Sequence, residues 1–141
     1  MSHIALVQQS LIDVLPKSDT MARAFYRRLF ELDPSLRSLF RHDPAEQRRK
    51  FTDMLVTLIQ GLDRLNTVLP EIHQLGLRHA QYGVKPGHYV LAREALLWAL
   101  EHTLGQRLPE ETRSAWIEVY DLLATAMQAA ALSSVSAIYD D

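Results

Sequence analysis

The chain contains no cysteine. That excludes a disulfide frame, a thiolate zinc site and an iron–sulfur cluster. No block of like charge is present: 15 basic and 17 acidic side chains are mixed along the chain and leave a net charge of −2. Nothing therefore points to nucleic acid or to an anionic membrane as a partner. The first residues, MSHIALVQQSLIDVL, lack a cationic region, and Gln and Asp break their apolar runs. They read as an amphipathic helix and not as a signal peptide. No run approaches the length of a membrane span. A soluble, cytoplasmic protein is the expectation. Period-two strand patterns, Asn-Gly hairpin turns, internal repeats and low-complexity linkers are missing as well. What remains is a 141-residue chain that is 48% hydrophobic. It is enough for one domain, residues 1–141, with a single core.

The pattern is helical throughout. Ser2 is placed to cap a first helix that buries Ile4, Val7, Leu11 and Val14 or Leu15, and Pro16 stops it. Ser18 or Asp19 is expected to cap a second helix, with Met21, Ala22, Phe25, Tyr26, Leu29 and Phe30 inward through about Leu32. Asp33-Pro34 opens a short helix ending near Phe40. Asp43-Pro44-Ala45-Glu46 repeats the signal with a capping box. The long helix that follows buries a stripe of Gln47, Phe51, Met54, Leu55, Leu58 and Leu62. Gly61 and the DRLNT segment loosen or end it. Pro70-Glu71 is the expected start of the next helix, Gly83 to Gly87 a turn, and His88 to Leu104 another helix capped by Gly105. Pro109 starts the last helix, with Trp116, Tyr120, Leu123 and Met127 on one face. The tail from about residue 132 is expected to fray. The prediction is an all-α fold of six substantial helices plus one or two short ones. Short helices interleaved with long ones suit an irregular box around a pocket better than a symmetric bundle.

Three polar groups interrupt apolar faces: Tyr26, Gln47 and His79. Buried polar groups need partners. Ile72, Leu75 and His79 share one helix face, which is apolar except for the imidazole. Followed at once by the turn Tyr82-Gly83-Val84, that imidazole can be aimed inward at a metal. The alternative is a core histidine bonded to a carbonyl. One histidine without nearby carboxylates holds a bare ion poorly. A haem brings four nitrogens of its own and needs one axial imidazole.

The segments FYRRLF (25–30), DPSLRSLF (33–40), EQRRKFTDMLVTLIQGLD (46–63), LGLRHAQYGVKPGHY (75–89) and AWIEVY (115–120) occur in an order and at a spacing that resemble the globins. The likeness is to bacterial single-domain globins related to the haem domain of flavohaemoglobins, and it covers residues 4 to 131. It implies the globin fold and haem b as cofactor, with His79 the proximal ligand to iron. It implies Phe40 packed on the porphyrin, Tyr26 and Gln47 as distal residues, and Phe51 facing the ligand where relatives often have leucine. Leu75, Val84 and Tyr89 would line the proximal side. Lys50 and Arg78 lie near where such proteins place cations for the propionates, although ordinary solvated charges explain them equally well. The chain departs from relatives with peroxidase-like proximal chemistry, which place a glutamate where Ala131 stands. A carboxylate behind the imidazole would push electron density to the metal. Without it, the imidazole N–H is expected to donate to a backbone carbonyl, that of Leu75.

By this resemblance the function is reversible binding of O₂, and of CO or NO, for storage or delivery. The alternatives are an NO dioxygenase served by a separate reductase, since no flavin domain follows the globin segment, and a haem-based sensor. A monomer or weak homodimer is expected. Other readings stay open at single residues. Tyr26 could be a core tyrosine bonded to a carbonyl, or the internal sixth ligand in the ferric state. Gln47 could swing to solvent as a gate. Trp98, Trp116 and Tyr120 read as packing. His42 could contact a propionate or sit exposed in a loop. His3, His73, His88 and His102 carry no motif.

Overall fold

The structure is a computed structural model. It describes residues 2–41 and 43–140, with side chains through residue 132. The expectation for His42 lies outside the described residues.

Six α-helices and four single- or double-turn 3₁₀ segments make up the described chain, and no strand occurs among these residues. Helix α1 (His3–Val14) starts where Ser2 accepts a hydrogen bond from the Ala5 N–H at 3.1 Å. Its buried face is Val7, Leu11 and Val14, with Leu15 turned outward. Pro16 ends it in a 3₁₀ turn over Leu15–Lys17 that runs straight into α2 (Ser18–Leu32). Neither Ser18 nor Asp19 caps α2, contrary to the sequence expectation. The preceding turn already supplies the helix start, and Asp19 instead pairs with Arg23 and Arg48. Asp33 does cap the following 3₁₀ helix, Pro34–Leu39, through the Ser35 N–H at 3.0 Å.

Helix α3 (Pro44–Gln60) has half of the expected capping box. Asp43 accepts from the Glu46 N–H at 3.2 Å, but the Glu46 carboxylate turns away to Lys50, 3.5 Å distant. Helix α4 (Leu65–Gln81) begins five residues before Pro70, which lies inside it. Pro70 removes one backbone hydrogen bond near the helix start. The early start buries Val68 tightly against Gly61, and burying a valine side chain is worth roughly 1.5–3 kcal/mol. Helix α5 (Pro86–Leu104) starts at Pro86 and not at His88. Proline suits the first helical position, and the His88 ring reaches back to accept the Lys85 N–H at 3.0 Å. Helix α6 runs over Glu110–Asp140, and neither glycine nor proline interrupts it.

The core is one cluster drawn from all six helices, with Trp116, Met21, Ile59 and Ile72 among its fully buried members. Trp116 Nε1 donates to Ser10 Oγ at 2.7 Å, and that hydroxyl donates to the Val7 carbonyl at 2.9 Å, so this interior polar pair is satisfied. Two packings position the site. Helix α2 lies along α5, and α4 lies along α6. Gly76, one turn before His79, makes the second packing close: a Cβ there would run into the Met127 carbonyl oxygen and come within 2.8 Å of its Cα.

Candidate functional site

Two groups of side chains stand out. The first gathers on α2 and α3. Tyr26 faces inward from α2, half-buried. Its ring meets Phe25 at 5.0 Å, Phe40 at 5.3 Å and Phe51 at 5.7 Å between centroids, all edge-on. Phe25 and Phe51 stack on each other at 4.3 Å, nearly parallel. Edge-to-face and stacked rings hold one another in fixed orientation, so the Tyr26 ring is clamped on several sides. Gln47 Nε2 donates to the Tyr26 oxygen at 3.1 Å. The phenol proton has no acceptor among the described residues. Burial pushes the Tyr26 hydroxyl up to about 12, opposed only by the Gln47 donation. At neutral pH it is an intact O–H donor.

Next to Gln47, Arg48 Nε donates to Asp19 at 3.0 Å, and Asp19 also accepts from Arg23 at 2.7 Å. These two guanidinium groups hold the Asp19 carboxyl below its usual range. The Arg48 pair links the first turn of α3 to the start of α2, next to Gln47.

The second group lies on α4, α5 and α6. His79 is half-buried, and its pKa is lowered by burial first and by the Arg78 charge second. The ring is therefore neutral at pH 7, as a metal-binding imidazole must be. Nδ1 lies 3.3 Å from the Tyr89 hydroxyl. Leu75 was expected to offer its carbonyl to this ring; the group found beside Nδ1 is the Tyr89 hydroxyl instead. The α5 start brings Tyr89 under the ring and decides the partner. The tautomer that carries its proton on Nδ1 would donate it to Tyr89 and keep the Nε2 lone pair free. Tyr120 has more than a packing role: its hydroxyl donates to the Tyr89 carbonyl at 2.6 Å and anchors that residue from α6. Burial raises the pKa of both phenols. Val84 is half-buried, and its N–H donates to the His79 carbonyl at 2.9 Å, closing the turn below the ring.

Tyr26, Gln47, Phe40 and Phe51 thus come together, as do His79, Tyr89, Leu75 and Val84. The two remaining sequence candidates do not join either group through a hydrogen bond. Lys50 pairs with Glu46 on the surface of α3, and Arg78 is exposed. Sequence reasoning missed Phe25, whose stacking on Phe51 needed the α2–α3 crossing. It also missed the Tyr120 bond, which needed the α5–α6 crossing.

The donor set fits a haem. No three His, Cys, Asp or Glu side chains gather to hold a bare ion among the described residues. A single neutral imidazole beside half-buried aromatic and aliphatic walls is what a porphyrin requires of its protein.

Comparison with known proteins agrees. Over 122 residues the chain is 28% identical to a flavohemoprotein of Bacillus subtilis; this covers 84% of the chain but 31% of that protein. It therefore spans about a third of the length of this relative. An uncharacterized globin-like protein of Aquifex aeolicus is 34% identical over 119 residues, with 84% of each chain covered. Among solved structures, an engineered carbene transferase derived from a candidate nitric oxide dioxygenase of Rhodothermus marinus superposes with a TM-score of 0.87. Its identity is 30%, with 99% of this chain and 96% of that one covered. A bacterial globin from Campylobacter jejuni, 18% identical with a TM-score of 0.82, shares the fold. The family model described as Globin matches residues 23–127, and the chain belongs to the globin family.

Proposed function

We propose that this globin binds O₂, and likewise CO and NO, reversibly at haem b, with His79 as the axial ligand and Tyr26 and Gln47 stabilising the diatomic. The haem supplies a ferrous centre with one open axial position. The protein supplies the rest. His79 would hold the metal through Nε2, and Tyr89, held by Tyr120, lies against Nδ1 and would fix the ring orientation. Phe40 and Phe51, which pack beside Tyr26, would contact the porphyrin on the Tyr26 side, and Leu75 and Val84 on the His79 side. Lys50, paired with Glu46 on the surface, and Arg78, exposed on α4, are the two candidate cations for a propionate.

One observation carries the reading: Gln47 donates to the Tyr26 oxygen and leaves the phenol proton free. A donor receiving a hydrogen bond on its own oxygen is a stronger donor. It suits a ligand that takes up negative charge in an apolar surrounding. A hydrogen bond to such a ligand is worth roughly 1.5–3 kcal/mol, and about 1.4 kcal/mol is tenfold in rate. Tyr26→Phe should therefore speed O₂ release roughly tenfold to a hundredfold in stopped-flow mixing and alter CO release far less. An unchanged O₂ rate would refute the assignment.

A second reading, NO dioxygenation, is favoured by the likeness to flavohemoproteins and to the Rhodothermus marinus protein. NO and O₂ would form nitrate with one electron per turnover from a separate reductase. Tyr26 and Gln47 would play the same parts. Sustained nitrate production over many cycles with an added donor supports this reading; one equivalent per haem returns the protein to ligand binding alone.

A further inference from the structure

The geometry points to Phe25, a core side chain outside the set that meets a ligand, as the positioning residue that limits the size of ligand this globin accepts. It acts through Phe51. The inference rests on the ligand-binding reading above and narrows its ligand class to diatomics, with ligands that carry an alkyl tail refused.

Phe51 stands one turn after Gln47 on α3, so its ring and the Gln47 amide share a helix face. Both reach Tyr26. Gln47 Nε2 is 3.1 Å from the phenol oxygen, and the Phe51 ring stands edge-on to the phenol ring at 5.7 Å between centroids. A ligand held by the Tyr26 hydroxyl therefore has Phe51 as a neighbour. Phe51 is only half-buried, and partly exposed side chains ordinarily change rotamer with ease. Here the ring is backed. Phe25 lies against it at 4.3 Å with 9° between the planes. Phe25 is itself 6% exposed, belongs to the main core cluster and meets the Tyr26 ring at 5.0 Å. Close-packed interiors give way little, so Phe25 cannot retreat to make room.

Phe51 is thus a fixed wall and not a swinging gate. Turning it aside breaks the stack, which disfavours the open arrangement by roughly twofold to tenfold beyond the lost burial. A diatomic asks for no such movement. A ligand with a tail must lay the tail among the side chains around the phenol and push the ring away. Neither residue alone has this effect. Phe51 supplies the bulk, and Phe25 keeps the bulk in place.

Flash photolysis and stopped-flow mixing of the haem-loaded ferrous chain with CO and with n-butyl isocyanide test this. The quantity read is the ratio of the isocyanide association rate to the CO rate. Phe51→Leu should raise that ratio at least about tenfold. Phe25→Leu should raise it roughly twofold to tenfold, although Phe25 meets no ligand. The double variant should stay within about twofold of Phe51→Leu alone, because Phe25 has nothing left to hold. Phe25→Leu should also broaden or split the infrared band of bound CO, since a released ring samples several positions. Phe25→Met keeps the volume without a flat face and is expected to match Phe25→Leu, so a fold lost in one variant is replaced by the other. A ratio unchanged by Phe51→Leu overturns the proposal. So does a ratio and CO band unchanged by both Phe25 variants, or a double variant in which the two effects multiply. A parent that forms no CO complex overturns the haem reading itself; a CO complex whose selectivity ignores Phe25 overturns this inference alone.

Discussion

Gln47 and Tyr26 sit 3.1 Å apart, and the direction of that bond matters more than its length. If the phenol donated to Gln47, its proton would be consumed within the protein. Because the amide donates, the proton is available to a ligand. The raised pKa has a consequence in solution. With the Tyr26 hydroxyl at about 12, O₂ release should stay flat from pH 7 to about pH 10, the ordinary range for tyrosine. Stopped-flow rates that climb with a midpoint near pH 10 would mean the phenol is solvated. The stability effect has a definite sign. A phenol whose folded pKa exceeds its unfolded one contributes below about pH 10 and loses that contribution as pH rises through about 12. Tyr26→Phe should lack this alkaline component in urea unfolding. On the other side, Tyr89 is a neutral hydroxyl where a carboxylate would raise the basicity of the imidazole.

Among the helices, the packing of α4 on α6 sets where His79 sits. Gly76 allows it because any Cβ there would meet Met127 backbone, which cannot rotate away. Gly76→Ala should therefore force the helices apart and cost about 1–3 kcal/mol in urea unfolding. The same change at Gly87, in the first turn of α5 with nothing within 4 Å of an added Cβ, should be neutral or stabilise by up to about 1 kcal/mol, since alanine is the better helix former. Equal effects at the two positions would remove the case for a close approach at Gly76. The α2–α3 crossing acts differently. It is held by the Phe25–Phe51 stack inside and by Asp19 with Arg23 and Arg48 outside. The exposed ion pairs contribute little each, so the aromatic stack is the main support for the helix end that carries Gln47.

On the proposed reading a haem would bridge elements that are distant in the chain, so its binding should stabilise the entire fold. A ligand at a hundredfold over its Kd adds about 2.7 kcal/mol to the folded state. Thermal unfolding of the loaded chain should therefore start well above that of the haem-free chain. His79→Ala should lose most of the Soret absorbance and most of this difference. Retention of both would show that the imidazole does not hold the haem. No helix among the described residues is long and apolar enough to cross a membrane.

Helix content, the caps at Ser2, Asp33 and Asp43, and the identity of His79, Tyr26 and Gln47 as misplaced polar groups were all legible in the linear chain. Each depends on neighbours within about two turns, where periodicity and capping chemistry operate. Helix starts were less legible. Pro70 and His88 were poor guides because burial of Val68 and the Pro86 start outweighed the local signals. Which group faces His79 Nδ1, which way the Gln47 amide points, and that Tyr120 anchors Tyr89 were decided only by tertiary structure. Those choices join residues 10, 21 and 31 positions apart. Side-chain spacing along one helix carries no information about the angle at which the next helix crosses it.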